Sequence, residues 1–107
     1  QANSEVIQFV CFFFMIRSFS DAETKRFYTT GKSRRYSSSI QARAAMRLTQ
    51  LDSVTRLDAL RLPPSNRLER LKCNRIGQWS IRINNQWRVC FRFEQDDVFD
   101  VEIVGYH

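Results

Sequence analysis

A chain of 107 residues, 43 % hydrophobic and 26 % charged, has the size and balance of one globular domain with a single small core. Its 17 basic residues, 14 of them arginine, outnumber 11 acidic ones and leave a net charge of +6. That balance disfavours a neutral small molecule as partner. It points instead to a polyanion or an acidic protein, because the guanidinium fork reaches two phosphate oxygens at once. Three cysteines (Cys11, Cys73, Cys90) with no C-x-x-C pair and one histidine argue against a disulfide framework and a zinc site, and fit a reducing cytoplasm.

The apolar run from Val6 to Ile16 contains Gln8 and is too short to cross a bilayer. It has no basic flank and no small-residue cleavage site, so it is a poor export signal. Residues 1–14 therefore read as a non-native or upstream-translated extension, with Met15 as the start and 15–107 as the domain. Met15 to Phe19 predicts a first strand. Ser20-Asp21-Ala22-Glu23 follows the capping-box pattern, with Ser20 as N-cap and a helix over 21–29 that stops at Gly31. Residues 32–39 are basic and serine-rich, either a loose loop or a phosphate-contacting edge through Lys32, Arg34 and Arg35. Ile40, Ala44, Leu48 and Leu51 share one face of a helix over 40–52; Ala45 widens the stripe, and Arg43 and Arg47 lie outside it. A further short helical turn is predicted before Leu62-Pro63-Pro64, which starts an extended segment.

The last 42 residues organise the chain. Three stretches alternate with period two. Trp79, Ile81 and Ile83 oppose Ser80 and Arg82. Trp87, Val89, Phe91 and Phe93 oppose Arg88, Cys90 and Arg92. Phe99, Val101 and Ile103 oppose Asp100, Glu102 and Val104. Short polar links, Asn84-Asn85-Gln86 and Gln95-Asp96-Asp97, suit hairpins. The expectation is an antiparallel sheet with one apolar face, packed on the second helix, and one face carrying arginines. Between Asn66 and Phe93, Arg67, Arg70, Lys72, Arg75, Arg82, Arg88 and Arg92 face only Glu69, the footprint of a nucleic-acid surface.

No phosphate-binding loop, nucleophile elbow or metal-ligand spacing is present, and the basic strands hold too few carboxylates for two metals. A nuclease built on this chain would need no metal or other cofactor, because RNA supplies its own 2′-OH as nucleophile. The protein would take that proton, neutralise the charge on phosphorus and protonate the leaving oxygen. Glu69, Lys72, Arg88, Tyr106 and His107 are the available groups. His107 titrates nearest neutrality, Lys72 and Arg88 carry charge, and Tyr106 donates or stacks.

The runs L-P-P-S-N-R-L-E-R-L-K and G-Q-W-S-I-R-I-N-N-Q-W-R-V-C-F, with the closing V-E-I-V-G-Y-H, resemble HigB-type toxins, the proteic-killer branch of the RelE superfamily. Met15-Ile-Arg-Ser-Phe resembles the family's start. The resemblance implies an α+β, RelE-like fold: an N-terminal strand, two helices, then a mainly antiparallel, twisted sheet of three to four strands. It implies a ribosome-dependent mRNA endonuclease, with Lys72, Arg88, Tyr106 and His107 at the family's catalytic positions and Glu69 where relatives carry a polar or imidazole group. It also implies a helix-turn-helix, HigA-like antitoxin, and operator DNA reached only through that antitoxin. Arg67, Arg70, Arg75, Arg82 and Arg92, with Lys32, Arg34 and Arg35, would contact RNA or ribosome. The catalytic groups should converge on one shallow positive pocket.

Two positions depart from the family pattern. Cys73 replaces a common glycine, which predicts a strained turn, and Gly105 replaces a common aspartate beside Tyr106-His107. They leave open an attenuated toxin that keeps antitoxin and ribosome affinity. A plain basic RNA-binding module is a third reading.

Overall fold

Period-two alternation produces a four-stranded antiparallel meander in the computed structural model, which describes residues 14–106. The strands are β1 (Glu69–Arg70), β2 (Trp79–Arg82), β3 (Trp87–Glu94) and β4 (Asp97–Gly105), in that spatial order. The β2–β3 hairpin closes on Asn84, whose Oδ1 accepts the Gln86 and Trp87 N–H groups at 2.8 and 2.9 Å. The β3–β4 hairpin turns through Gln95 and Asp96, both at positive φ (52° and 69°), as a two-residue turn matched to strand twist requires. Ile81, Ile83, Val89, Phe91, Val101 and Ile103 form the buried face. Two helices cover it, α1 (Ala22–Thr30) and α2 (Ser38–Leu51), through Phe27, Ile40, Ala44, Leu48 and Leu51. The architecture is α+β, as expected.

Several local expectations give way to geometry. Asp21, not Ser20, caps α1 and accepts the Thr24 N–H at 3.1 Å. Ser20 instead donates to the Asp100 carbonyl and the Glu102 carboxylate. On α2, Ala45 is exposed and Arg47 is buried, because Arg47 finds neutral acceptors beneath the helix: the Arg82 carbonyl at 2.8 Å and Ser65 Oγ at 3.3 Å. The prolines start a second 3-10 turn (Pro64–Asn66) rather than an extended segment. Buried Asn66 fixes that turn by donating to Gln50 Oε1 and the Leu60 carbonyl.

Strand β4 also differs from its pattern. Asp100 adopts φ 57°, and the β3–β4 register shifts between Cys90 and Arg92. The irregularity moves Val98 into the core and sets Phe99 opposite Arg92, off the core face. The expected first strand is reduced to two parallel bridges, Ile16 with Val98 and Phe19 with Val101. Between them the Asp100 N–H donates to Ser18 Oγ rather than to a backbone carbonyl. The extension expected over residues 1–14 lies outside the described residues, apart from exposed Phe14.

Two buried polar nodes hold this edge. Asp52 accepts the Ile16 N–H on Oδ1 at 2.8 Å and the Tyr28 hydroxyl on Oδ2 at 2.6 Å, and its carbonyl takes the Met15 N–H. Burial, reinforced by Asp52, raises the Tyr28 phenol above its ordinary value, so it stays protonated and donates. Thr24 is fully buried; its Oγ1 lies 2.9 Å from the Tyr36 hydroxyl and 2.8 Å from Asp21 Oδ2, and accepts the Ile103 N–H at 3.0 Å. That last bond satisfies a β4 donor where the parallel N-terminal segment has already turned into α1.

Thr24→Val keeps the volume and removes these partners, so it should lower unfolding free energy by about 2–3 kcal/mol in urea titration; an unchanged midpoint would refute the node. Burial alone would raise the Asp21 carboxyl, but hydrogen bonds from Thr24 and Arg35 outweigh it and hold it below its ordinary 3.8. Its contribution is therefore whole above that value and lost as pH falls through the lower folded value. Asp21→Asn should flatten that acid limb of stability; an acid limb identical to that of the unsubstituted chain would contradict the assignment.

Candidate active site

Arg82 and Arg88 sit directly opposite each other on β2 and β3. Two like charges at that spacing repel, so the side chains diverge. Arg82 turns to the hairpin and donates to Asn85 Oδ1. Arg88 crosses diagonally toward β1, donating Nε to Ser80 Oγ at 2.7 Å and Nη2 to the Arg67 carbonyl at 2.9 Å. Glu69 Oε1 lies 3.3 Å from the same Nη2. The Arg88 side chain is only 13 % exposed, yet Nη1 has no acceptor among the described residues. A charged donor is thus held in place with no acceptor at one edge among the described residues.

Arg88 borders a shallow hollow of about 580 Å³, lined also by Arg67, Glu69, Arg82, Asn84, Asn85 and Tyr106. Arg67 reaches it from a left-handed residue (φ 46°) that ends the Pro64–Asn66 turn. Tyr106 follows β4; its N–H donates to the Gln86 carbonyl at 2.6 Å, and its hydroxyl lies 4.0 Å from buried Cys90 Sγ. Burial pushes the Tyr106 phenol up, with nearby Cys90 adding to the effect against Arg75 and Arg88, so it remains a donor at neutral pH. Burial likewise raises the Cys90 thiol.

The expected catalytic groups divide. Arg88, Glu69 and Tyr106 share one hollow. Lys72 lines another, about 450 Å³, with Arg70, Leu71, Cys73, Ile76, Gly77 and Trp79. Alternation along β1 causes the split: Glu69 pairs with Ser80 on the polar face, and Arg70 pairs with Trp79 on the other. His107 lies outside the described residues. Among the wider basic set, Arg67 and Arg82 line the first hollow and Arg70 the second. Arg75 is pinned to Gln78 and Glu102, and Arg92 to Glu94. Lys32, Arg34 and Arg35 line neither hollow, and Arg35 is paired with Asp21 at 2.8 Å.

Sequence reasoning missed Ser80, which holds the Arg88 Nε, and Asn84 and Asn85, which wall the hollow. Ser80 is legible only once the β2–β3 register is known, since its contact is the cross-strand diagonal. The strain expected at Cys73 is present: its φ is 59°, a left-handed value that costs a Cβ-bearing residue about 1–2 kcal/mol.

The family model of the HigB-like toxins, RelE-like toxins of type II toxin–antitoxin systems, matches residues 17–107. The chain is 38 % identical over 80 residues to Toxin HigB-1 of Vibrio cholerae, covering 74 % of this chain and 84 % of that protein. It is 29 % identical over 93 residues to Endoribonuclease HigB of Proteus vulgaris, covering 87 % of this chain and all of that one. A YoeB–YefM complex from Staphylococcus aureus contains a similar fold, with TM-score 0.51 and 17 % identity, covering 86 % of this chain and 94 % of the matched chain.

Cys73→Gly should relieve the left-handed strain and raise the melting temperature by a few degrees, about 1 kcal/mol after the entropic cost of glycine. A lower melting temperature would show that the Cys73 side chain contributes more than its backbone loses.

Proposed function

The chain belongs to the HigB-like family of RelE-like toxins of type II toxin–antitoxin systems, and we propose that it is a metal-independent endoribonuclease that cuts messenger RNA on translating ribosomes and so stops translation. The observation that supports this most is Arg88, held at Nε by Ser80 and at Nη2 by the Arg67 carbonyl and Glu69 while it lines an open basic hollow. A phosphate seated there gains charge stabilisation as its negative charge grows, with no reorganisation of the donor. To Glu69, 62 % exposed beside Arg88, we assign removal of the 2′-OH proton. Tyr106, kept protonated, donates to a phosphate oxygen or carries a base on its ring. His107 follows it in the chain, and we assign it protonation of the leaving 5′-oxygen. Lys72 serves the RNA from the adjoining hollow.

A hollow this shallow, with Glu69 and Tyr106 exposed, does not itself orient an RNA for in-line attack. The ribosome supplies that positioning in our reading, so free RNA is cut slowly. The cognate partner is an antitoxin of the HigA-like, helix-turn-helix kind, which carries any operator binding. The protein would act in the cytoplasm, where translating ribosomes are.

Cys73 and Gly105 favour a second reading, attenuation. Cys73 strains the turn behind Lys72, and Gly105, opposite Trp87 at the end of β4, offers no carboxylate to orient His107.

Arg88→Ala should slow mRNA cleavage on translating ribosomes by about 10²- to 10³-fold while the circular dichroism spectrum is kept. Salt-sensitive binding of free RNA, with no cleavage by the unsubstituted chain on ribosomes, would support a plain binding module instead. Gly105→Asp should raise the cleavage rate; an unchanged rate would remove the attenuation argument.

A further inference from the structure

The second hollow is built differently from the first. The Arg70 guanidinium lies over the Trp79 ring, 5.0 Å from its centroid. Arg70 is an exposed residue. Exposed Lys72 stands beside it, and Leu71 and Ile76 supply apolar wall. Among the described residues neither Arg70 nor Lys72 has a carboxylate partner, whereas Arg75, Arg88 and Arg92 each have one. A layered, uncompensated cation over an indole, with an ammonium alongside, suits a flat, electron-rich ring that carries a phosphate. Two-residue β1 is the edge strand between the two hollows.

We propose that the Arg70–Lys72–Trp79 hollow is a nucleotide subsite, in which a base next to the cleaved phosphodiester stacks on the Arg70 guanidinium and its phosphate meets Lys72. This rests on the reading of the Arg88 hollow as the cleavage site and adds where the neighbouring nucleotide is held. The ligand is single-stranded RNA. A duplex cannot deliver an unstacked base to this plane, and an acidic peptide without aromatic residues has no ring to lay on it. Stacking tolerates any base, so the subsite contributes affinity and register more than sequence choice.

The test is tryptophan fluorescence of the full chain titrated with a 2′-O-methyl oligoribonucleotide five residues long, which cannot be cleaved. Tripolyphosphate and a short polyglutamate serve as comparison probes, and mRNA cleavage on translating ribosomes is measured in parallel. The oligonucleotide should quench emission in the unsubstituted chain and in Arg88→Ala, but not in Trp79→Phe. Arg70→Ala should weaken binding about tenfold, and Arg56→Ala, paired with Asp58 elsewhere, should not change it. Equal affinity in Arg70→Ala, quenching by tripolyphosphate or polyglutamate as strong as by RNA, or no quenching at all would overturn the subsite. Cleavage that persists in the unsubstituted chain while the Arg70 effect is absent would remove the subsite and leave the Arg88 site standing. An Arg70-dependent quench without any cleavage would keep the RNA contact and defeat the cleavage reading.

Discussion

A guanidinium largely withdrawn from water is tolerated where its inward donors are met, and Arg88 meets that condition at Nε and Nη2 with largely neutral groups. Ser80 Oγ and the Arg67 carbonyl accept from it at hydrogen-bond distance, and exposed Glu69 adds a charge that water already screens. Leaving one such donor unmet costs about 1–3 kcal/mol, more for a charged group. The arrangement therefore fixes the side chain without cancelling its charge toward the hollow. A tight, fully buried Arg–Glu pair would have given rigidity and no field.

The rest of the fold serves to bring those acceptors together. Ser80 is placed by the β2–β3 register. Arg67 is placed by the Pro64–Asn66 turn, which Asn66 ties to Gln50 of α2. Buried Arg47 reaches from α2 to Ser65 and to the Arg82 carbonyl, so one helix anchors both the turn and the strand that wall the site. On the far edge, Thr24 and Asp52 fasten β4 and the N-terminal segment to the helices. Polar bonds carry these links because strand ends and turns leave backbone groups that apolar packing cannot satisfy.

Much of the architecture was legible in the residues. The alternation of β2 and β3 and the stripe of Ile40, Ala44, Leu48 and Leu51 set the sheet and its covering helix, since burial follows period directly. The failures were local competitions that pattern does not encode. Asp21 rather than Ser20 caps α1 because Ser20 has partners on β4. Arg47 is buried because two neutral acceptors await it. Val98 displaces Phe99 because the Asp100 irregularity reverses the faces. At the candidate site, Arg88, Glu69 and Tyr106, named from chemistry and resemblance, line one hollow. Ser80 was not named, because its role depends on a diagonal contact that exists only after pairing.

The central claim is that Ser80 and Arg88 act as one unit. A double-mutant cycle on the rate of mRNA cleavage on translating ribosomes, using Ser80→Ala, Arg88→Lys and both together, measures this coupling directly. Ser80→Ala should slow cleavage in the presence of Arg88 and add almost nothing once lysine, which has no Nε donor, replaces it. Rate losses that simply multiply in the double variant would contradict the account.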